Sequence, residues 1–277
     1  GGFIGGEIAR TLEGTGHTVA PVSRREVDLL TDGAADRLES ILQPGDSVVI
    51  TAAVAPVKDN AMLEANIRMG SAICQALARA NPAQVVYVSS DAVYRDSDRP
   101  LAEGSCAEPG SLHGAMHVTR EVMLRAACPE SLCIVRPTLV YGVGDPHNGY
   151  GPNRFMRSAL TEGVIAVFGH GEERRDHVHV SDVAGLVGAI VESDSVGILN
   201  AATGQGHTFL SVAERIMQLV DRPVELRNLP RSGPMPHGGY RVFDASQTTA
   251  AFPEFAYTPL EQGLAECLSQ MAEGDRG

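Results

Sequence analysis

Gly1-Gly2-Phe3-Ile4-Gly5-Gly6 runs straight into an apolar stretch with helical periodicity over residues 5–14. Closely spaced glycines at the start of a helix let several backbone amides approach a pyrophosphate, at the end where the helix dipole is positive. A helix packed tightly on a neighbour through its glycines is the other reading of these residues. Gly2 and Gly5 have the spacing of the last two glycines of a GxxGxxG turn, with Phe3 and Ile4 between them. That register leads us to expect a first glycine, and an apolar strand ending in a Thr-Gly-like turn, ahead of Gly1.

Working outward, short β-branched runs alternate with longer amphipathic stretches, the pattern of a parallel sheet covered by helices. Strands are expected at 17–22, 47–52, 84–89, 132–136 and 197–200, with helices at 5–14, 34–42, 62–80, 113–127 and 181–192. The fold class is therefore α/β, a doubly wound parallel sheet of the Rossmann type. Residues 142–152 are rich in Gly, Pro, Asp and Asn and read as a loop where the chain leaves the sheet. Helices over 208–220 and 259–271 belong to a smaller C-terminal α/β layer. The expected division is a dinucleotide-binding domain over 1–142 and 172–203, and a substrate-binding domain over 143–171 and 204–277.

After the expected second strand come Ser23, Arg24 and Arg25. An acidic residue here suits bare ribose hydroxyls, whereas guanidinium forks suit a phosphate on that ribose, so NADP(H) is favoured over NAD(H). Two ordinary solvated charges are the alternative.

The formal charge of −12 over 277 residues excludes the basic face that a nucleic acid or an anionic membrane would require. No apolar run reaches the roughly 18 to 20 residues of a membrane span, and no basic-then-apolar leader is present, so a cytoplasmic protein is expected. Five cysteines, odd in number and without CxxC spacing, read as reduced thiols rather than a disulfide framework or zinc site. Lys58 is the only lysine, so any mechanism that requires one has only that residue.

Several motifs follow in order: Thr51-Ala52-Ala53, Ala65-Asn66-Ile67, Val86-Tyr87-Val88-Ser89-Ser90-Asp91-Ala92-Val93-Tyr94, Arg136-Pro137-Thr138, and Arg174-Arg175-Asp176-His177-Val178-His179. With the glycine turn, they make the chain resemble the extended short-chain dehydrogenase/reductases, the NAD-dependent epimerase/dehydratase group acting mostly on nucleotide sugars. The resemblance implies that Ser90 polarises a substrate oxygen, with Asp91 behind it. A strand end and a turn cap are the structural alternative for that pair. It further implies coenzyme contacts from Asp28, Leu29, Ala52, Ala53, Asn66, Ser89 and Pro137. Arg175, Asn153, Arg154 and Tyr94 are implied to face the diphosphate and sugar of a nucleotide-diphosphate sugar. Arg136 is either a further phosphate contact or a structural residue under the loop. Homodimerisation through the helices beginning near Met62 and His113 is likewise implied.

The departure from the family lies in Ser111-Leu112-His113-Gly114-Ala115-Met116-His117. There the family's YxxxK motif carries a tyrosine acid/base and a lysine that binds the nicotinamide ribose and lowers the tyrosine's pKa. His113 and His117 are one helical turn apart and share a face, so position is kept while chemistry changes. Imidazole moves protons near neutral pH, which makes His113 the candidate acid/base. His117 is the candidate partner of the ribose hydroxyls, without lysine's permanent charge. Three readings stay open: an active epimerase, reductase or dehydratase with a rewired acid/base, in which Tyr94, Asp91 or Lys58 also takes part; a coenzyme-binding sensor or scaffold; and a metal held by the two histidines. His177 and His179, two apart on an expected strand, form a second geometrically possible metal pair, although relatives keep a histidine at the latter position without metal. No metal is expected.

Overall fold

The computed structural model describes residues 2–274, and the chain divides into two compact units. The first comprises Gly1–Arg95, Glu103–Pro137 and Ala184–Ala201. Its elements are α1 (Phe3–Gly14), α2 (Ala34–Glu39), β1 (Ser47–Ile50), α3 (Asn60–Ala80), β2 (Gln84–Val88), α4 (Leu112–Ala127) and β3 (Leu132–Pro137). The second unit then supplies β4 (Leu139–Tyr141), α5 (Pro152–Thr161), β5 (Val164–Phe168) and β6 (Arg174–His179). Helix α6 (Val180–Glu192) passes into the first unit at Ala184, and β7 (Gly197–Ala201) completes that unit.

Strands in the first unit run β1-β2-β3-β7, every neighbour parallel, as expected where helices return the chain between strands. All residues of β2 and β3 are buried, the mark of a sheet covered on both faces. Ile50, Ile73, Leu77, Tyr87, Leu124 and Ile134 form one shared core. Local chemistry sets the helix ends. Asp59 accepts the amide of Met62 at the start of α3, and Asn81 ends that helix in the left-handed region at φ 46°. Ser111 accepts the amide of Gly114 at the start of α4.

The strand expected at 17–22 is not formed. A strand exists only as a partner in a ladder, and among the described residues β1 pairs with β2 alone, leaving this segment unpaired. The strand expected ahead of Gly1 lies outside the described residues.

The second unit adds β8 (Gly206–Thr208), α7 (Phe209–Leu219), β9 (Glu225–Leu229), β10 (Tyr240–Arg241), α8 (Ser246–Ala251) and α9 (Leu260–Gly274). Strand order is β10-β6-β4, β8 lies antiparallel to β6, and β5 pairs with β9. Tyr141, Phe155, Ile165, Phe209, Ile216 and Leu264 lie at its core. This division differs from the expected one: 96–102, 138–142, 172–183 and 202–203 go with the second unit. The reason is pairing, since β4 and β6 bond to each other and Leu101 bridges Phe243.

Candidate functional site

Helix α1 begins at Phe3 on an extended Gly2, with no side chain capping it and no acidic residue in its first turn. Its first amides are thus unopposed by protein carboxylates, as an anion site requires. The two glycines have different duties. A Cβ on Gly2 would meet nothing within 4 Å, whereas one on Gly5 would lie 2.6 Å from the Thr51 hydroxyl. Gly5 lets α1 pack directly on the residue after β1, and Gly2 leaves space at the helix end. Phe3 and Ile4, half-buried, form the first turn between them.

Gly5, Ser23, Arg24, Asp28, Leu29, Ala52 and Ala53 all line one groove of about 780 Å³ in the first unit. Its inner wall is apolar, with Ile8, Leu12, Val49 and Ile73. At the rim, Arg24 donates to Asp28 at 3.1 Å and remains 81% exposed at its side chain. The second carboxylate oxygen of Asp28 accepts the Leu30 amide, and these bonds lower its pKa, the backbone one most. Asn66 does not face the groove with a spare amide: it accepts the Val54 amide at 3.0 Å and donates to the carbonyls of Val54 and Met62. It thereby holds the 51–54 segment, which carries Ala52 and Ala53.

Beyond β2 the chain makes a 3-10 turn over Asp91–Val93, capped by the Ser90 hydroxyl, which accepts the Ala92 amide at 3.1 Å. Asp91 is half-buried, with a carboxylate oxygen 3.4 Å from the Ser90 hydroxyl. Helix α4 lies directly on this turn. A Cβ on Gly114, the neighbour of His113, would come within 2.0 Å of the Ala92 carbonyl oxygen, so only glycine permits the close approach of α4 to the turn that carries Ser90 and Asp91. The rings of His113 and His117 stand edge to face, 4.8 Å between centroids. His117 is buried, with Nδ1 2.7 Å from the Tyr87 hydroxyl. Burial first, then His113 and Arg120, hold its pKa well below the usual value.

Other expected residues support this corner from beneath. Ser89 is buried and donates to Glu121 at 2.7 Å. Tyr94, expected to face substrate, is instead 2% exposed, donates to Asn200 at 2.7 Å and carries the Arg136 guanidinium over its ring. Arg136 itself grips Glu121, which fits the structural alternative for it. Pro137 ends β3 opposite Ala201.

In the second unit Asn153, at the start of α5, accepts the Gly142 amide and donates to Asp145, so its amide braces the loop before the helix. Arg154 is exposed on the same turn. Arg175 is buried, and donates to Glu173 at 2.6 Å and to the Pro236 carbonyl at 2.8 Å. His177 is enclosed against Phe209, neither ring nitrogen has a hydrogen-bond partner among the described residues, and burial pushes its pKa down to about 3. His179 lies 2.6 Å from the Ser181 hydroxyl and 3.5 Å from the Cys267 thiol. No group of three potential metal ligands occurs among the described residues.

Sequence reasoning missed Tyr87, Arg120, Glu121, Glu173 and Arg231. Glu173 also pairs with Arg231, 18% exposed, and its place two residues before Arg175 was the one available signal. Arg120 follows His117 by three residues, and that spacing put it on the same helical face.

The comparisons with known proteins agree with this architecture. The model of the NAD dependent epimerase/dehydratase family matches residues 1–202. UDP-N-acetyl-alpha-D-glucosaminuronate decarboxylase of Bacillus cytotoxicus is 24% identical, over 98% of this chain and 95% of its own. dTDP-4-dehydrorhamnose reductase of Streptomyces griseus is 26% identical, over 90% of this chain and 85% of its own. Among solved structures, MoeE5 in complex with UDP-glucose and NAD superposes with a TM-score of 0.81 at 22% identity, covering 99% of this chain and 96% of that one, which establishes the Rossmann fold. The chain belongs to the NAD dependent epimerase/dehydratase family.

Proposed function

We propose that the protein is an NAD(P)-dependent nucleotide-sugar epimerase, reductase or dehydratase in which His113 replaces the usual tyrosine as acid/base. What supports this reading is the seating of α4 on the Ser90–Val93 turn through Gly114, the neighbour of His113, together with the edge-to-face contact of the His113 and His117 rings. Relatives with UDP- and dTDP-linked sugars in their names support the substrate class, and the NAD bound by MoeE5 supports a dinucleotide.

The uncapped start of α1 and the open space at Gly2 fit a pyrophosphate, and Ala52, Ala53, Asp28 and Leu29 would hold the rest of the coenzyme along the groove. When bound, that group accepts or returns a hydride at a sugar carbon. Ser90 would donate to the sugar oxygen as charge develops on it, and His113 would take or return the proton of the same hydroxyl or ketone. His117 would hydrogen-bond a ribose hydroxyl, and Arg24 and Arg25 would favour NADP(H) over NAD(H). Arg154, exposed on α5, and Arg175 would meet the sugar's diphosphate.

The test is NADPH and NADH binding by fluorescence, followed by incubation with UDP- and dTDP-sugars and their keto forms. Turnover that falls at least about 100-fold in His113→Phe is the expected result, in the range for loss of a general acid/base. A turnover indifferent to that substitution overturns the assignment. A second reading has its own support: Asn153 and Arg175 are bonded within the protein, as befits a coenzyme-binding sensor with no sugar nucleotide to hold. Tight coenzyme binding without turnover of any sugar would favour it.

A further inference from the structure

Two residues 30 apart in sequence decide which nitrogen of His117 carries its proton. Tyr87 lies in β2, 1% exposed, with its phenol oxygen 2.7 Å from Nδ1 of His117. Burial pushes the phenol up to about 12, so it is a hydroxyl at physiological pH. A buried O–H without an acceptor is costly, and His117 Nδ1 is the one acceptor within reach of this hydroxyl among the described residues. The hydroxyl therefore donates and Nδ1 accepts. A neutral imidazole whose Nδ1 accepts holds its hydrogen on Nε2.

The surroundings keep the ring neutral. Arg120, one turn further along α4, is 1% exposed, and its guanidinium carbon lies 5.2 Å from the centroid of the Tyr87 ring. One of its nitrogens donates to the Ala52 carbonyl at 2.7 Å, while Nε and Nη2 are buried without a hydrogen-bond partner among the described residues. The His113 ring stands edge to face with that of His117, 4.8 Å away. The carboxylate of Glu121 on α4 is already engaged by Arg136 on β3 and by Arg125 one turn further along α4. A second positive charge on His117 would face Arg120 with no carboxylate of its own.

We propose that Tyr87 is a positioning residue: by donating to Nδ1 it locks His117 as the Nε2–H tautomer, a hydrogen-bond donor aimed at a hydroxyl oxygen of the bound coenzyme's ribose, while Arg120 supplies the fixed charge that His117 does not carry. The ligand half of this inference rests on the proposed function, and the tautomer half does not.

The experiment is a long-range proton–nitrogen correlation spectrum of the full chain labelled with 15N-histidine, with His117 assigned by its loss in His117→Gln. We expect a neutral ring protonated at Nε2 and bare at Nδ1, unchanged between pH 7.5 and 5.5. In Tyr87→Phe the tautomer preference should be lost and NADPH affinity should fall about fivefold. A wild-type ring protonated at Nδ1, an imidazolium at pH 7, or an unchanged tautomer in Tyr87→Phe would each overturn the proposal. The wild-type spectrum decides the tautomer even if the variant fails to fold. Wild-type protein that does not bind NADPH yet shows the Nε2–H ring would remove the functional reading and its ribose contact, and leave the tautomer lock standing.

Discussion

Arg136 on β3 meets Glu121 on α4 through two parallel contacts, Nε to Oε1 at 2.9 Å and Nη2 to Oε2 at 2.6 Å, with both side chains 3% exposed. Ser89 donates to the same carboxylate, and Tyr94 stacks under the guanidinium. The pair thus ties β2, β3 and α4 together beneath the turn that carries Ser90.

Breaking one side of a buried ion pair strands the other charge, a cost of about 3–5 kcal/mol. Arg136→Met and Glu121→Leu should each lose about that much in urea unfolding, while the double variant should lose clearly less than the sum. Additive losses would mean that the two charges are not coupled.

The contact between α4 and the 3-10 turn should be equally sensitive. In Gly114→Ala the new Cβ collides with the Ala92 carbonyl, which is backbone and cannot rotate away. A stability loss of about 1–3 kcal/mol is expected from overpacking. A displacement of His113 by about 1 Å would lower turnover about 100-fold. Gly188→Ala in α6 is the control, since its Cβ would meet nothing within 4 Å. It should be neutral or stabilising by about 1 kcal/mol.

These contacts show where sequence reading succeeds and where it stops. The runs Gln84–Val88 and Leu132–Pro137 are buried throughout, and the valines of the first with Ile134 and Val135 of the second mark them as central strands. Arg175–His179 is buried too, yet apart from Val178 it consists of charged and imidazole side chains, because Asp176 satisfies the amides of Thr203 and Gly204 and Arg175 pairs with Glu173. Tertiary hydrogen bonds there do what apolar alternation does elsewhere, and no periodicity announces them. The segment at 17–22 shows the converse: it has strand composition but no ladder partner among the described residues. At the site, one helical turn between His113 and His117 sufficed to place them together. Tyr87 was hidden because its bond to His117 spans 30 residues.

His177 should make stability fall on acidification. Its folded pKa is depressed to about 3 while the unfolded value stays near 6.5, so the unfolded chain takes up a proton that the folded one refuses. The stability is present above pH 6.5 and is lost progressively as pH falls toward 3. Between pH 7 and pH 5 this one group accounts for about 2 kcal/mol. His177→Leu should therefore lose less stability over that interval than wild type by about this amount, measured by urea unfolding at both pH values. Parallel pH profiles would show that His177 takes up its proton in the folded protein too.

Arg24 and Arg25 carry the proposed coenzyme preference, and Arg24 keeps most of its side chain in solvent despite its bond to Asp28. A guanidinium facing a ribose phosphate is worth about tenfold in affinity, or about 1.4 kcal/mol. Arg24→Ala/Arg25→Ala should weaken NADPH binding by at least that factor and flatten its salt dependence, with NADH binding unchanged. Equal loss for both coenzymes would place the two arginines on the pyrophosphate or the fold instead.

Helices α3 and α4 pack on each other, with Gly70 of α3 close against Arg120 and Met123 of α4. Helix α4 also carries Val122, 59% exposed, the kind of apolar residue that a homodimer interface covers. We expect a dimer in sedimentation equilibrium at micromolar concentration, and a monomer for Val122→Asp, because two symmetry-related carboxylates would then meet at a self-complementary surface. The substitution adds a charge at an exposed helical position, so the folded monomer should lose no more than about 0.5 kcal/mol. A monomeric wild type, or a Val122→Asp protein that still dimerises, would move the interface away from this helix pair.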